Sequence, residues 1–329
     1  LVVNGYYDAK TLSGIRTEDE DGAVTVVFYD ERDRAIYEDR QLRNRNDIEH
    51  LITRYVYDDC GRLAWCVTPK GTDLLADSQR YRLSDDFTKQ NCYAYVYDGF
   101  DRTVEKHIPG QEPVYMVYDS ADRLVMRQDG NLRAGVYSDR KPQWMIYEYD
   151  VLGRQTEQAI VTDTSLTANT RNALQEQFDA GQTPALYNHS SAQLLHRKVY
   201  DSYGKRPATV QFLAIDGMTT QLADGQKESL LDSRVKGLLT YEQLSVIGHD
   251  AYAESYYYRA HYYDYKGRVI QTVVSDPRGT VHRITNKYDF AGNLSAQRES
   301  YTRGVVTDNL NRTFTYDSRN RLIKETAQF

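Results

Sequence analysis

In nine Tyr-Asp phrases of this 329-residue chain the residue four positions after the Asp is nearly always cationic, so carboxylate–cation pairs suited to acid–base chemistry recur along it. The pairs open at Tyr29-Asp30, Tyr57-Asp58, Tyr97-Asp98, Tyr118-Asp119, Tyr149-Asp150, Tyr200-Asp201, Tyr263-Asp264, Tyr288-Asp289 and Tyr316-Asp317, and the later residues are Arg34, Arg62, Arg102, Arg123, Arg154, Lys205, Arg268, Asn293 and Arg321. Repetition argues against catalysis: a general acid or base is a singular group whose surroundings shift its pKa, whereas these share one environment. A structural device repeats in this way. The seven histidines, His50, His107, His189, His196, His249, His261 and His282, never stand three or four residues apart, which disfavours a metal site. Cys60, Cys66 and Cys92 form an odd set without a CxxC, and read as small half-buried thiols. No GxSxG, Walker or GxGxxG phrase is present, so no cofactor is expected. Aromatic chemistry gets a stronger hearing, since exposed tyrosine rings stack on sugar faces. The run Tyr256-Tyr257-Tyr258-Arg259-Ala260-His261-Tyr262-Tyr263 places rings on both faces of a strand, making Tyr256, Tyr257, Tyr258 and Tyr262 the candidate binding surface.

The positioning elements follow from the same phrases. Three residues after each Asp stands Asp33, Gly61, Asp101, Asp122, Gly153, Gly204, Gly267, Gly292 or Asn320, a set confined to residues that tolerate positive φ. Asp at the first position of a type I turn, followed by a left-handed residue forming a bulge, gives a hairpin. Alternation upstream, as in Tyr55 with Tyr57 and Tyr95 with Tyr97, supplies the strands. An isolated hairpin is marginal in water, so nine must join side by side. The expected fold is all-β: antiparallel hairpins in one curved, spiralling sheet or partial shell, a single region over 1–329 with insertions at about 162–196 and 214–255. One short helix is expected in the first insertion, capped by Asn169 or Thr170, with Leu174 and Phe178 on one face and Gly181 at its end. A weaker helical stretch covers about 72–90, anchored by Leu74, Leu75 and Phe87, and both are read as surface decorations.

Hydrophobic residues make up 40% and charged residues 27%, which places the chain among folded proteins. The net charge of −6 has no clustered basic stripe against it, so nucleic acid is not an expected partner. Tyrosine is the unusual count, 29 against 8 Phe and 2 Trp, and favours half-buried pleated surfaces. No apolar run is long enough for a membrane span. The pattern starts and stops abruptly, as an excised piece of a longer protein would.

The phrase Tyr57-Asp58-Asp59-Cys60-Gly61-Arg62-Leu63 resembles the YD repeat of the Rhs (rearrangement hotspot) family. Longer runs, among them Pro113 to Asp119, Asp122 to Val125, Gln128 to Arg133 and Tyr263 to Gln271, look like the Rhs-type proteins of Bacteroidetes, and the resemblance covers nearly the whole chain. It implies a hollow β-shell, as in the shell-forming component of Tc toxins and in teneurins, secreted or at the cell surface. In toxin relatives such a shell encloses a C-terminal toxic polypeptide, and a core region at its end often carries aspartate-dependent self-cleavage, for which no phrase occurs here. Three functions therefore stand open: a non-enzymatic shell that encloses or presents a C-terminal polypeptide of its own chain, an adhesive module binding glycans or a partner protein through exposed tyrosines, and an enzyme whose site lies in an insertion. Unpaired terminal strands add an expectation of self-association.

Overall fold

The aspartate turn is the unit from which the fold is assembled. In the computed structural model, which describes residues 11–43, 47–75, 80–136, 138–165, 169–204, 206–215, 217–218, 235–246 and 256–329, Asp30 Oδ1 accepts from the backbone N–H of Arg32 at 2.9 Å and of Arg34 at 3.0 Å. The Asp33 N–H closes the turn on the Asp30 carbonyl at 3.0 Å. The fourth residue is left-handed as expected, with φ of 57° at Asp33, 65° at Asp101, 58° at Asn320 and 85° at Gly61. That extra residue shifts the register at the tyrosine, between Val56 and Tyr57, Val96 and Tyr97, and Val117 and Tyr118 among others, which is a β-bulge in each hairpin.

The chain is all-β, with nineteen strands among the described residues, and it divides into two compact units: Leu1–Met145 with Thr162–Tyr187, and Ile146–Val161 with Asn188–Phe329. The sequence pattern, continuous in its repeats, gave no sign of that division. In the first unit β1 (Ser13–Glu18), β2 (Val24–Tyr29), β3 (Ala35–Arg43), β4 (Ile48–Tyr57), β5 (Leu63–Val67), β6 (Cys92–Tyr97), β7 (Thr103–His107), β8 (Val114–Tyr118) and β9 (Leu124–Gln128) each pair antiparallel with the next. The Tyr-Asp turns therefore fall at one end of this sheet, and the reverse connections, which carry the helices, fall at the other.

Among the described residues the helical stretch expected at 72–90 is helical only at its two ends, in α1 (Pro69–Asp73) and α2 (Asp86–Asn91), and Leu74, expected to anchor it, is exposed. Thr68 caps α1 with Pro69 at its first turn, a favoured start for a chain whose N–H would go unused. Gly71 is required there, because a Cβ would lie 2.9 Å from both Asn91 Cβ and Val67 Cγ1. A third, α3 (Gly130–Arg133), follows β9, and α4 (Arg171–Asp179) occupies the first insertion, capped by Thr170 and followed by Gly181 at φ 72°.

α4 is no surface decoration. Its Leu174 and Gln175 are buried, and the Gln175 amide accepts from the Tyr118 N–H at 3.0 Å and donates to the Tyr118 carbonyl at 2.8 Å. β7 and β8 share only the register pairs Glu105 with Tyr115 and Lys106 with Val114. The backbone of Tyr118 lies beyond that ladder, and the Gln175 side chain takes the place of the missing strand.

In the second unit the end of β10 (Gln143–Tyr149) and β11 (Gln155–Thr162) form the fifth hairpin, closed by Asp150 and Gly153. From β11 the strands β12 (Gln193–Tyr200), β13 (Leu239–Ser245), β14 (Tyr256–Tyr263), β15 (Val269–Ser275), β16 (Thr280–Tyr288), β17 (Leu294–Arg303), β18 (Val306–Tyr316) and β19 (Leu322–Gln328) each pair antiparallel with the next. The sixth hairpin departs from expectation. Asp201 itself is left-handed at φ 65°, its N–H takes the Leu238 carbonyl at 3.2 Å, and Tyr200 pairs with Leu239. The return strand is thus β13, which lies inside the expected insertion at 214–255, and the inserted chain begins within the turn at Ser202. Lys205, the expected basic residue, lies outside the described residues, as do 216, 219–234 and 247–255 of that insertion.

The inserted residues roof the sheet and form its core. Tyr203, Val210 and Val235 pack with Tyr241, Ala260, Tyr262, Ile270 and Val273, all buried. Tyr203 stacks on Tyr262 with centroids 5.0 Å apart, and its hydroxyl accepts from the Tyr263 N–H at 3.2 Å, a donor that the bulge between Tyr262 and Tyr263 frees from the ladder.

Candidate functional site

The residues of the signature phrase meet as a clasp between successive hairpins. Arg102 donates from Nε to Asp98 Oδ2 of its own turn at 2.7 Å, and from Nη1 to Asp122 Oδ1 of the next turn at 2.9 Å. Its guanidinium lies over the Tyr118 ring, 5.1 Å from the centroid, and the Tyr118 hydroxyl donates back to the Thr103 carbonyl at 2.7 Å. One arginine therefore holds its own turn, the next turn and the next tyrosine. The same set recurs with Arg62, which binds Asp58 at 2.7 Å and Asp101 at 2.6 Å and lies 4.6 Å from the Tyr97 ring, while Tyr97 donates to the Leu63 carbonyl.

In the second unit Arg154 binds both Asp150 and Asp201 and covers the Tyr200 ring. Arg268 binds Asp264 and covers Tyr288, whose hydroxyl reaches the Val269 carbonyl at 3.0 Å. Arg34, Arg123 and Arg321 bind Asp30, Asp119 and Asp317 of their own turns. At the Asn293 turn the amide replaces the guanidinium and joins Asp289 at 3.0 Å to Asn320 at 3.1 Å, while Tyr316 donates to the Leu294 carbonyl.

The electrostatics match a structural role. The side-chain hydrogen bond from Arg34 brings the Asp30 carboxyl down to about 2. At Asp98 and Asp119 burial works to raise the pKa, but the hydrogen bonds and charge of Arg102 and Arg123 override it and leave both below the usual carboxylate range. A carboxylate held ionised by its neighbour is a poor proton carrier near neutral pH. Each of Arg62, Arg102 and Arg154 has one carboxylate partner in its own turn and a second on a left-handed Asp of the next hairpin, Asp101, Asp122 and Asp201.

Two further turns of this geometry escaped the sequence reading. Asp19 closes on Gly22 and Ala23, and Asp276 on Gly279 and Thr280, each with the same pair of Oδ1 contacts. They lack the Tyr and Arg, and Asp-x-x-Gly alone marks them.

The aromatic strand β14 separates into core and surface. Tyr262, expected at the surface, is fully buried: its hydroxyl donates to the Val210 carbonyl at 2.7 Å and accepts from Arg206 Nε at 2.8 Å. The inserted chain covers the face that the sequence pattern left open. Tyr256 and Tyr258 are half-buried and tilted together at 6.0 Å, with Tyr258 stacked on Tyr241, and Tyr257 is 46% exposed. His261, on the same strand, contacts Thr272 Oγ1 at 3.1 Å, and burial pushes its pKa down. Burial likewise pushes the Cys92 thiol up to about 12 and raises Cys66.

Three other constellations arise only in the folded chain. Glu148, Glu157 and His189 bring ligand atoms within 4.8 Å of one another, with Arg197 Nε on Glu157 at 2.5 Å supplying a cation to the same group. A cleft of about 610 Å³ in the second unit is lined by Arg283, Arg298, Ser300, Thr302, Thr307 and Asn309. A cavity of about 530 Å³ lies in the first unit between β6–β9 and the start of α4.

No protein-family profile and no curated protein sequence matches the chain. Among solved structures it is similar to a Tc holotoxin pore of Photorhabdus luminescens carrying a mutated TccC3, with 13% identity over 93% of this chain and 14% of that one, at a TM-score of 0.44. It is similar also to the structure described as TcdB2-TccC3-Cdc42, with 14% identity, the same coverage and a TM-score of 0.44. For TcdB2–TccC3 without its hypervariable C-terminal region the identity is 15%, over 92% of this chain and 13% of that one, at a TM-score of 0.45. This chain therefore spans about one seventh of the length of those proteins, and likeness at this level does not establish a shared fold.

Proposed function

We propose that this chain is a non-enzymatic Rhs/YD-repeat scaffold, part of a secreted or cell-surface β-shell that encloses or presents a polypeptide C-terminal to the repeats. The observation that carries the reading is the clasp, in which Arg102 joins Asp98, Asp122 and the Tyr118 ring. Where Arg62, Arg102 and Arg154 reach the next turn, the Tyr, Asp and Arg of the phrase are committed to seating one hairpin on the next, so the residues that recur have structural work. A wall extended by such a rule suits enclosure, and the Tyr-Asp-x-x-Gly-Arg resemblance to the Rhs family supplies the enclosed polypeptide. Limited proteolysis of the full-length gene product tests this. The segment after the repeats should resist cleavage under native conditions and become cleavable when the repeats unfold; cleavage at the rate of a free peptide in the native protein would contradict enclosure.

A second reading rests on Tyr257, whose exposed ring lies on the face of β14 opposite the Tyr256 and Tyr258 pair. Adhesion through one of these faces predicts glycan-array binding that Tyr257→Ala or Tyr256→Ala abolishes. Binding that both variants retain would remove the rings from the account.

A further inference from the structure

Within the first unit one cavity collects polar groups that take no part in any clasp. Its floor is a single cross-strand row, Val96, Glu105, Tyr115 and Gln128, set side by side by the registers of β6 to β9. Arg133, Pro142 and the segment from Asn169 to Asn172 at the start of α4 wall it. The volume, about 530 Å³, falls in the range of small-molecule sites.

The two arginines set this cavity apart. Arg171 donates from Nε to the Met116 carbonyl at 2.9 Å and from its two terminal nitrogens to the amide oxygens of Asn172 and Gln175, both at 3.2 Å. No carboxylate forms an ion pair with it among the described residues. Arg133 lies 4.5 Å over the Tyr115 ring and donates from Nη2 to the Pro113 carbonyl at 2.7 Å, while its nearest carboxylate, Glu112, is 4.0 Å away. Its Nη1 is shielded from solvent and has no hydrogen-bond partner among the described residues. A sequestered guanidinium N–H without an acceptor is costly, and a ligand oxygen relieves that cost. By contrast every clasp arginine has a carboxylate at 2.6–2.7 Å.

Acceptors line the opposite side. Glu105 holds His107 Nε2 at 2.8 Å through one carboxylate oxygen, and Gln128 spends its amide nitrogen on the Gln143 carbonyl, which leaves its own carbonyl oxygen for a donor. Two guanidiniums and one carboxylate favour a monoanion that also carries hydrogen-bond donors; a phosphate dianion would be repelled by Glu105. We infer that this cavity binds a small carboxylate whose adjacent hydroxyl or ammonium groups reach Glu105 and Gln128, its carboxylate lying between Arg133 and Arg171. The chemistry is shared by an acidic sugar and by a free amino acid, and the inference is independent of the shell reading.

Titration calorimetry of the protein with glucuronate, glutamate, glucose and inorganic phosphate tests it. Saturable binding of glucuronate or glutamate is expected, and which of the two binds identifies the source; neutral glucose and phosphate should not bind. Arg133→Gln should weaken the complex at least about tenfold, as loss of a charge-assisted hydrogen bond does, and Glu105→Gln should weaken it less. Arg171→Gln should match Arg133→Gln; if it undocks α4, seen as a lost thermal transition, Arg133→Gln decides, because α3 is a separate element. No saturable binding of either carboxylate at millimolar concentration would overturn the inference. Equal affinity in Arg133→Gln, or binding of phosphate in preference to both carboxylates, would overturn it as well.

Discussion

Arg102 and Arg171 both lie against β8, and they are used in opposite ways. Arg102 meets two carboxylates and an aromatic ring within one clasp. Arg171 meets only neutral oxygens and borders a cavity. The first belongs to a rule repeated from hairpin to hairpin, the second occurs once. A residue type carries no function by itself in this chain; whether its charge is already answered by a carboxylate separates scaffold from candidate site.

Acid should expose that contrast most strongly, because it reaches all clasps together. Three clasp aspartates titrate below their unfolded value, Asp30 at about 2 and Asp98 and Asp119 lowered. A depressed carboxylate stabilises the fold fully above the unfolded pKa of about 3.9, and that contribution disappears as pH falls through the folded value. Thermal melts should hold steady from neutral pH to about 5 and drop steeply between about 4 and 2. A flat midpoint over that acid window would mean the clasps contribute little.

Next in size, Arg102→Ala should cost about 2 kcal/mol in chemical denaturation, from lost charge-assisted hydrogen bonds and ring contact. Arg102→Lys should recover less than half, since an ammonium cannot span both carboxylates as a planar fork does. Arg171→Ala should cost about half as much as Arg102→Ala, having no ion pair to lose; an equal cost would erase the distinction between the two sets. Tyr118→Phe removes one hydroxyl-to-carbonyl bond and should cost about 1 kcal/mol. The smallest effect is Tyr257→Ala, expected within about 0.5 kcal/mol of wild type because that ring is largely at the surface.

Turn chemistry was legible in the sequence because it is local: an Asp, a residue tolerant of positive φ three positions on, and alternation on either side define each hairpin without reference to the rest. What lay beyond the turn was not. Gly204 imitates the usual fourth residue, so the return strand of the sixth hairpin was sought at Lys205, whereas it starts at Leu239 after the inserted chain. Tyr262 looked like its neighbour Tyr257 until Tyr203 and Val210 covered it. The cavity row Val96, Glu105, Tyr115 and Gln128 exists only through strand register, as does the meeting of Glu148, Glu157 and His189. Register and insertion path are set by long-range packing, which residue spacing along one chain does not encode.

The central claim is that the Tyr-Asp-Arg phrase couples one hairpin to the next. A double-mutant cycle of Arg102→Ala and Tyr118→Leu, read by chemical denaturation, tests it directly, because the two side chains belong to successive hairpins and meet through the guanidinium–ring contact that both changes remove. Non-additivity of at least about 0.5 kcal/mol is predicted for residues in contact. Simple addition of the two single effects would contradict the account.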